Sequence, residues 1–280
     1  MRKVAISKNY IDDPNSPHKT HTKSVPYMGG IAIIIGIVSL TYSISIFSPF
    51  TRSTFLLATS VLAPATMLGV IGFIDDIYNL PPWPRFIAQS IAAIFTAILL
   101  IYTDNFGNPT GSRLFDISIT ILWIVGVCNS INFFDNLDGG AAGTIAVISA
   151  GLGILALDSE QFLIAGMSFV TLGSMLGFLI WNRSPARIYM GDAGALFLGI
   201  LISVLTIRFK PQAQSQIASL LIPVLLLAVP IMDTSVAVIS RIKRNLSPFQ
   251  GGRDHLSHRL VRAGLHRKTA AISLWALSGF

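Results

Sequence analysis

Four polar clusters in this chain carry the side chains that hold divalent cations and phosphates. Asp75 and Asp76 are adjacent carboxylates. On a helix, neighbours point about 100° apart, and like charges this close stay ionised only when cations or donors meet them. A divalent metal would do this, although a solvated helix end is the plainer explanation of two acids alone. Asn129, Asn132 and Asp135 recur every three residues, as do Asp135 and Asp138, so a helix or turn would present them on one face. Such amides and carboxylates could read a nucleobase or ribose. Gly139 and Gly140 would let backbone approach a substrate, while a capped helix with a glycine-rich turn would explain the same residues.

Asp192 lies in Gly191-Asp192-Ala193-Gly194 and could cap a helix. Its small neighbours also leave its oxygens open, which suits Mg²⁺, a hard ion that takes a few carboxylates and substrate phosphates; Mn²⁺ is the substitute. The fourth cluster holds Arg253, His255, His258 and Arg259. The histidines share a helical face and the arginines are phosphate donors. Zinc is the weaker reading, because the cluster has no cysteine and the metal-competent acids lie elsewhere. A basic helix resting on anionic lipid is the bland alternative. Lys19 and His21 precede Gly29-Gly30 and could hold a lipid phosphate or anchor the chain among headgroups.

The elements that position these clusters are apolar. The chain has 280 residues, 52% hydrophobic and 12% charged. Apolar runs cover residues 29–47, 54–74, 86–102, 117–134, 141–157, 162–180, 193–207 and 217–239. Each approaches the length needed to cross a hydrocarbon core of about 30 Å. The expected fold is therefore all-α: a polytopic membrane helical bundle of about eight full spans. Residues 269–280 open a ninth apolar helix that would rise only about 18 Å. With only a polar segment before the first span, both ends read as truncated.

The soluble loops are too short for a second domain, so residues 1–280 read as one transmembrane domain. Threading the spans alternately puts 16 of the 20 Lys and Arg residues on one side, including segments 1–28 and 240–268. The positive-inside rule makes that side cytoplasmic. The net charge of +7 is then mostly topology and not a sign of nucleic acid. All four clusters fall at cytoplasmic span ends, and acids beside a bilayer usually mark a site. Cys128 is the single cysteine, allows no intrachain disulfide and reads as packing. Acids for metal and basic loops for phosphate on one membrane face imply phosphoryl transfer between a soluble donor and a lipid.

These residues resemble the polyprenyl-phosphate N-acetylhexosamine-1-phosphate transferases, nearly along the whole chain and in order. The matching segments are His21 to Gly30, Gly72 to Asp76, Asn129 to Gly139, Gly191-Asp192 and the loop 255–258. The bacterial branch that uses UDP-N-acetylhexosamine is the better match; the muramyl-pentapeptide branch has Thr-Pro-Thr where this chain has Val25-Pro26-Tyr27. The resemblance implies Mg²⁺-dependent attack of undecaprenyl phosphate on the β-phosphate of a UDP-sugar, with UDP-GlcNAc the expected donor, releasing UMP. It assigns Asp75, Asp76 and Asp192 to catalysis and metal. Asn129, Asn132, Asp135 and Asp138 fall to the nucleotide side, and Lys19, His21, Arg253, His255, His258 and Arg259 lie near the phosphates. A homodimer is compatible with the sequence.

Four positions depart from the family pattern: Ser257 stands where a histidine is usual, Asn136 where glycine is common, Gly140 where leucine is common and His18 where arginine is frequent. Two rival classes have features of their own. Asp135-x-x-Asp138-Gly139-x-x-Ala142 resembles the opening of the CDP-alcohol phosphotransferase signature, but the later acids are missing. A transporter would place its acids near the midplane, and here only Asp233 lies clearly inside a span. An inactive relative of the enzyme is the remaining alternative.

Overall fold

The computed structural model describes residues 1–12, 24–47, 51–102, 110–212, 216–248 and 252–279. His18, Lys19 and His21 lie outside them. Among the described residues, seven helices are long and apolar enough to cross a membrane. They are α2 (Gly29–Ile46), α3 (Thr51–Tyr78), α4 (Pro82–Tyr102), α5 (Arg113–Phe134), α6 (Gly140–Asp158), α7 (Phe162–Asn182) and α8 (Gly191–Arg208). Before them stands the short α1 (Arg2–Ser7), and after them come α9 (Gln216–Leu226), α10 (Ala228–Lys243), α11 (Leu256–Arg262) and α12 (Arg267–Ser278). The all-α, multi-pass reading holds.

The eighth apolar run differs from expectation. It is two helices, α9 and α10, parted at Leu227. Pro230 explains the division: it has no N–H to give and its ring excludes a carbonyl one turn back. It therefore sits in the first turn of a new helix, where such a donor would have no partner anyway. The twelve residues of α12 pack on α6. There the Trp275 indole donates to the Gly139 carbonyl at 3.0 Å and lies over Gly143, where a β-carbon would strike the ring.

The centre of the bundle is α8. Every residue from Ala193 to Thr206 is buried, with α3 and α5 packed closely along it and α2 beside its N-terminal half. In a bilayer, helices associate mainly through close van der Waals fit, so small residues mark the tightest crossings. A β-carbon on Gly30 would lie 2.6 Å from the Gly194 Cα, and one on Gly199 would lie 2.7 Å from the Cys128 Cα. Cys128 is fully buried at that crossing, as its reading as a packing residue requires. Outward faces stay apolar, with Ile35, Ile91, Leu122 and Ile180 all exposed, as suits helices that meet lipid.

The segment before α2 is structured. Residues Ile11–Asp12 (β1) and Val25–Pro26 (β2) pair antiparallel. The chain beyond β2 then docks on the residues leading into α8: Tyr189 N donates to the Pro26 carbonyl and Gly29 N to the Tyr189 carbonyl, both at 2.9 Å. These bonds set the N-terminal segment beside the start of α8, and with it Asp192.

Candidate active site

Asp75 and Asp76 end α3, Asn132 and Asp135 end α5, and Asp192 begins α8. Packing along α8 brings these three ends to one end of the bundle. Asn132 Nδ2 donates to Asp192 Oδ1 at 2.7 Å, and Arg85 Nη1 donates to Asp192 Oδ2 at 3.0 Å. The same Arg85 nitrogen is 2.9 Å from Asp75 Oδ2. That oxygen is buried and accepts no hydrogen bond, whereas Asp75 Oδ1 accepts Leu80 N at 2.7 Å. One guanidinium thus sits between two carboxylates from different helices.

Asp76 is engaged differently. Its Oδ1 accepts the Asp192 N–H at 2.8 Å and its Oδ2 accepts the Ala193 N–H at 3.1 Å. The first turn of a helix has backbone donors without helical partners, and here a carboxylate from another helix satisfies two of them at the positive end of the α8 dipole. Two glycines make room. A β-carbon on Gly191, whose φ is +69°, would meet the Asp76 carboxylate, and one on Gly72 would meet the Asp192 backbone. Both oxygens of Asp76, expected as metal ligands, thus also form a cap across two helices.

The expected stripe from Asn129 to Asp138 is also split. The helix ends at Phe134, so residues 135–139 form a turn and do not continue the face. Asn129 turns to α4, donating to Gln89 Oε1 at 2.5 Å. Asp138 turns to the segment before α8, accepting Ala186 N at 3.1 Å and the Tyr189 hydroxyl at 3.4 Å. Asp135 stays with the acids. Its burial first, and then the charges of Asp192 and Asp138, push its carboxyl up to about 7.

The basic loop divides in the same way. His255 is buried, with Nδ1 2.7 Å from Asp233 Oδ2 and Nε2 3.1 Å from Arg241 Nη2. Both ring nitrogens are taken by protein, so the expected phosphate contact of His255 is revised. Arg259 is exposed and donates Nε to the Asp254 carbonyl at 3.0 Å, while Arg253, also exposed, offers its carbonyl to Arg262. Ser257 donates to Asn136 Oδ1, so two of the departures from the family pattern bond to each other.

His258 is half-buried, and burial together with His255 and Arg253 pushes its imidazole down to about 4. At neutral pH it is an uncharged donor or acceptor, against the expectation of a cation. For a base whose folded pKa is depressed, the stability is present above its ordinary value of 6.5 and is lost as pH falls through about 4. Thermal unfolding between pH 7 and 4 should show this loss in the native chain. His258→Gln should lose less over that window, and parallel curves would contradict the assignment.

Arg85, Gln89 and Arg241 are site-end residues that sequence reasoning missed, and Asp233, noted there as the acid inside a span, was not placed at the site. Arg85 left one signal, as the only cation between Asp75 and the next span.

The donors around Asp192 fit Mg²⁺ chemically. The carboxylates of Asp75 and Asp192 offer oxygens, and both already meet the positive charge of Arg85. Among the described residues no three His, Cys, Asp or Glu side chains stand ready as a metal cage. Mg²⁺ does not require one, since it binds through one or two carboxylates, water and substrate phosphates.

A family model described as glycosyl transferase family 4 matches residues 58–210. The chain belongs to that family. The matched region runs from the second turn of α3 to just past the end of α8 and so contains the Asp75, Asn132 and Asp192 meeting point. Relatives match beyond it. The chain is 35% identical to a protein of Bacillus subtilis (strain 168) named probable undecaprenyl-phosphate N-acetylglucosaminyl 1-phosphate transferase, over 100% of the chain and 77% of the relative. It is 30% identical to the decaprenyl-phosphate N-acetylglucosaminephosphotransferase of Mycolicibacterium smegmatis, over 100% and 75%. It is 26% identical to a phospho-N-acetylmuramoyl-pentapeptide-transferase of Streptococcus uberis, over 100% and 87%. The 35% and 30% identities to these two N-acetylglucosamine relatives agree with the branch expected from Val25-Pro26-Tyr27, although the undecaprenyl-phosphate alpha-N-acetylglucosaminyl 1-phosphate transferase of Yersinia pestis is 25% identical.

Proposed function

We propose that this family 4 chain transfers N-acetylglucosamine-1-phosphate from UDP-N-acetylglucosamine to undecaprenyl phosphate at the cytoplasmic face of the bacterial inner membrane, initiating a cell-envelope glycan. The observation that carries this reading is the meeting of Asp75, Asp192, Asn132 and Arg85 at one bundle end, in a chain matched along its length by a relative of that name.

In the reaction, an oxygen of the lipid phosphate attacks the β-phosphorus of the UDP-sugar. A new P–O bond forms, the bond from that phosphorus to the oxygen shared with the α-phosphate breaks, and UMP leaves with the electron pair. Asp75, buried beside Arg85, orients the lipid phosphate or accepts its proton. Arg85 places a permanent, planar charge suited to phosphate oxygens next to the reacting group. Asn132 fixes the orientation of Asp192, and Asp135 and Asp138 face the nucleotide. Asp192, with Asp75, would hold Mg²⁺, which when bound would neutralise charge on the diphosphate oxygens.

The test is UMP release from UDP-N-acetylglucosamine by the detergent-purified chain, with and without undecaprenyl phosphate and Mg²⁺. Release that needs both additions is the expected result. Release without the lipid would mean hydrolysis, and silence with every UDP-hexosamine would overturn the reading.

A further inference from the structure

Below the basic loop lies a cluster of charged side chains that the transfer reaction does not use. Asp233 of α10 is fully buried, Arg241 of the same helix is 2% exposed, and Asp254 and His255 of the following loop are buried beside them. Burying charge is costly unless every group is paired and hydrogen-bonded, and here the pairing is extensive. Arg241 donates through Nε to Asp254 Oδ2 at 3.2 Å and through Nη1 to the Pro248 carbonyl at 2.8 Å. Asp254 also takes Arg244.

The third contact of Arg241 fixes the state of His255. A guanidinium has only donors, so His255 Nε2, 3.1 Å from Arg241 Nη2, must accept. The ring proton is then on Nδ1 and is donated to Asp233 Oδ2 at 2.7 Å. The second oxygen of Asp233 accepts the Leu256 N–H, the first of α11, at 2.6 Å. Asp233 therefore grips both the residue preceding α11 and the first turn of that helix.

The cluster also faces the active-site end of α5. Arg241 lies over the Phe133 ring at 5.6 Å, and His255 meets the same ring edge-on at 6.3 Å. The next contact along α11 is Ser257 with Asn136, in the turn that carries Asp135 and Asp138. Moving α11 would consequently move both His258 and that turn.

We propose that Asp233 and Arg241 are positioning residues for the transfer: with His255 and Asp254 they form a buried clasp that docks α11, and with it His258, against the Asp135–Asp138 turn. The effect on catalysis rests on the proposed transferase activity, while the clasp itself can be read without it. A misplacement of about 1 Å can cost roughly 10²-fold in rate, so breaking the clasp should slow turnover although its four residues are engaged with protein partners.

The experiment uses Asp233→Asn, which keeps the shape and one acceptor but presents an N–H₂ to one of the two donors. Limited trypsin digestion of the full chain in detergent reads the clasp directly: Arg259 and Arg262 are exposed but lie within α11, so cleavage after them needs that helix to open. Faster cleavage there than in the native chain supports the clasp, and an unchanged digestion pattern overturns it whether or not the chain releases UMP. Kinetics read the positioning. Asp233→Asn should lower kcat by between tenfold and about 10²-fold, and the double variant with His258→Ala should be within about twofold of His258→Ala alone, because residues acting through one another are non-additive. Fully additive losses would overturn positioning in favour of general destabilisation. Should Asp233→Asn not fold, His255→Asn and His255→Ala replace it in both assays. Asn retains a donor towards Asp233 and should preserve protection and turnover better than Ala; equal loss would overturn the proposal.

Discussion

Asp192→Asn and Asp192→Ala are both expected to lower UMP release by about 10³-fold, the scale on which a group aimed at developing charge matters, with the purified variants still folded. Asp192 receives Asn132 on one oxygen and Arg85 on the other. In the Asn variant one oxygen becomes an amide donor. It must then face either the Asn132 N–H₂ or the Arg85 guanidinium, so the loss is of polarity and of charge together. Arg85 would keep only Asp75 as a counter-charge. The measurement is UMP release at saturating lipid across a Mg²⁺ titration. A requirement for more Mg²⁺ with a residual rate fits Asp192 as an ion-binding group, and near-native release at ordinary Mg²⁺ would remove it from the site. Asp75→Asn should behave similarly, because its buried Oδ2 has Arg85 as its ionic partner.

The membrane-bundle fold was legible because it depends on run length and polarity, which sequence displays directly. The break at Leu227 was not read, although Pro230 is visible, because a proline in an apolar run can either kink a span or begin a new helix. The gathering of Asp75, Asn132 and Asp192 was legible as a shared side of the membrane. What sequence could not show is the direction of each side chain at a helix end. Asn129 and Asn132 share a three-residue spacing, yet one meets Gln89 of α4 and the other meets Asp192 of α8, because α5 is packed between those two helices. His255 and His258 share the same spacing. One is buried on Asp233 and Arg241, while the other is left half-buried.

Asp76 separates two roles that adjacent carboxylates hide. If it binds metal or moves a proton, Asp76→Asn and Asp76→Ala should be equally inactive, as expected for Asp192. If it caps α8, the variants should differ, because a neutral Asn is about as good a cap as Asp whereas Ala is poor. The Asn oxygen can still accept the Asp192 N–H, held at 2.8 Å in the native chain, and only the 3.1 Å bond from Ala193 is lost. One hydrogen bond of about 1 kcal/mol corresponds to roughly a five- to tenfold loss of turnover if all of it acts on the position of Asp192. Asp76→Ala strands both N–H groups beside a tight glycine crossing, with a stability cost of about 1–2 kcal/mol and a displacement of Asp192 worth about 10²-fold in rate. UMP release and thermal unfolding, measured on both variants, decide the matter. A gap of tenfold or more between Asn and Ala, with the lower melting temperature in Ala, supports the cap. Equal inactivity with unchanged melting would return Asp76 to the chemistry.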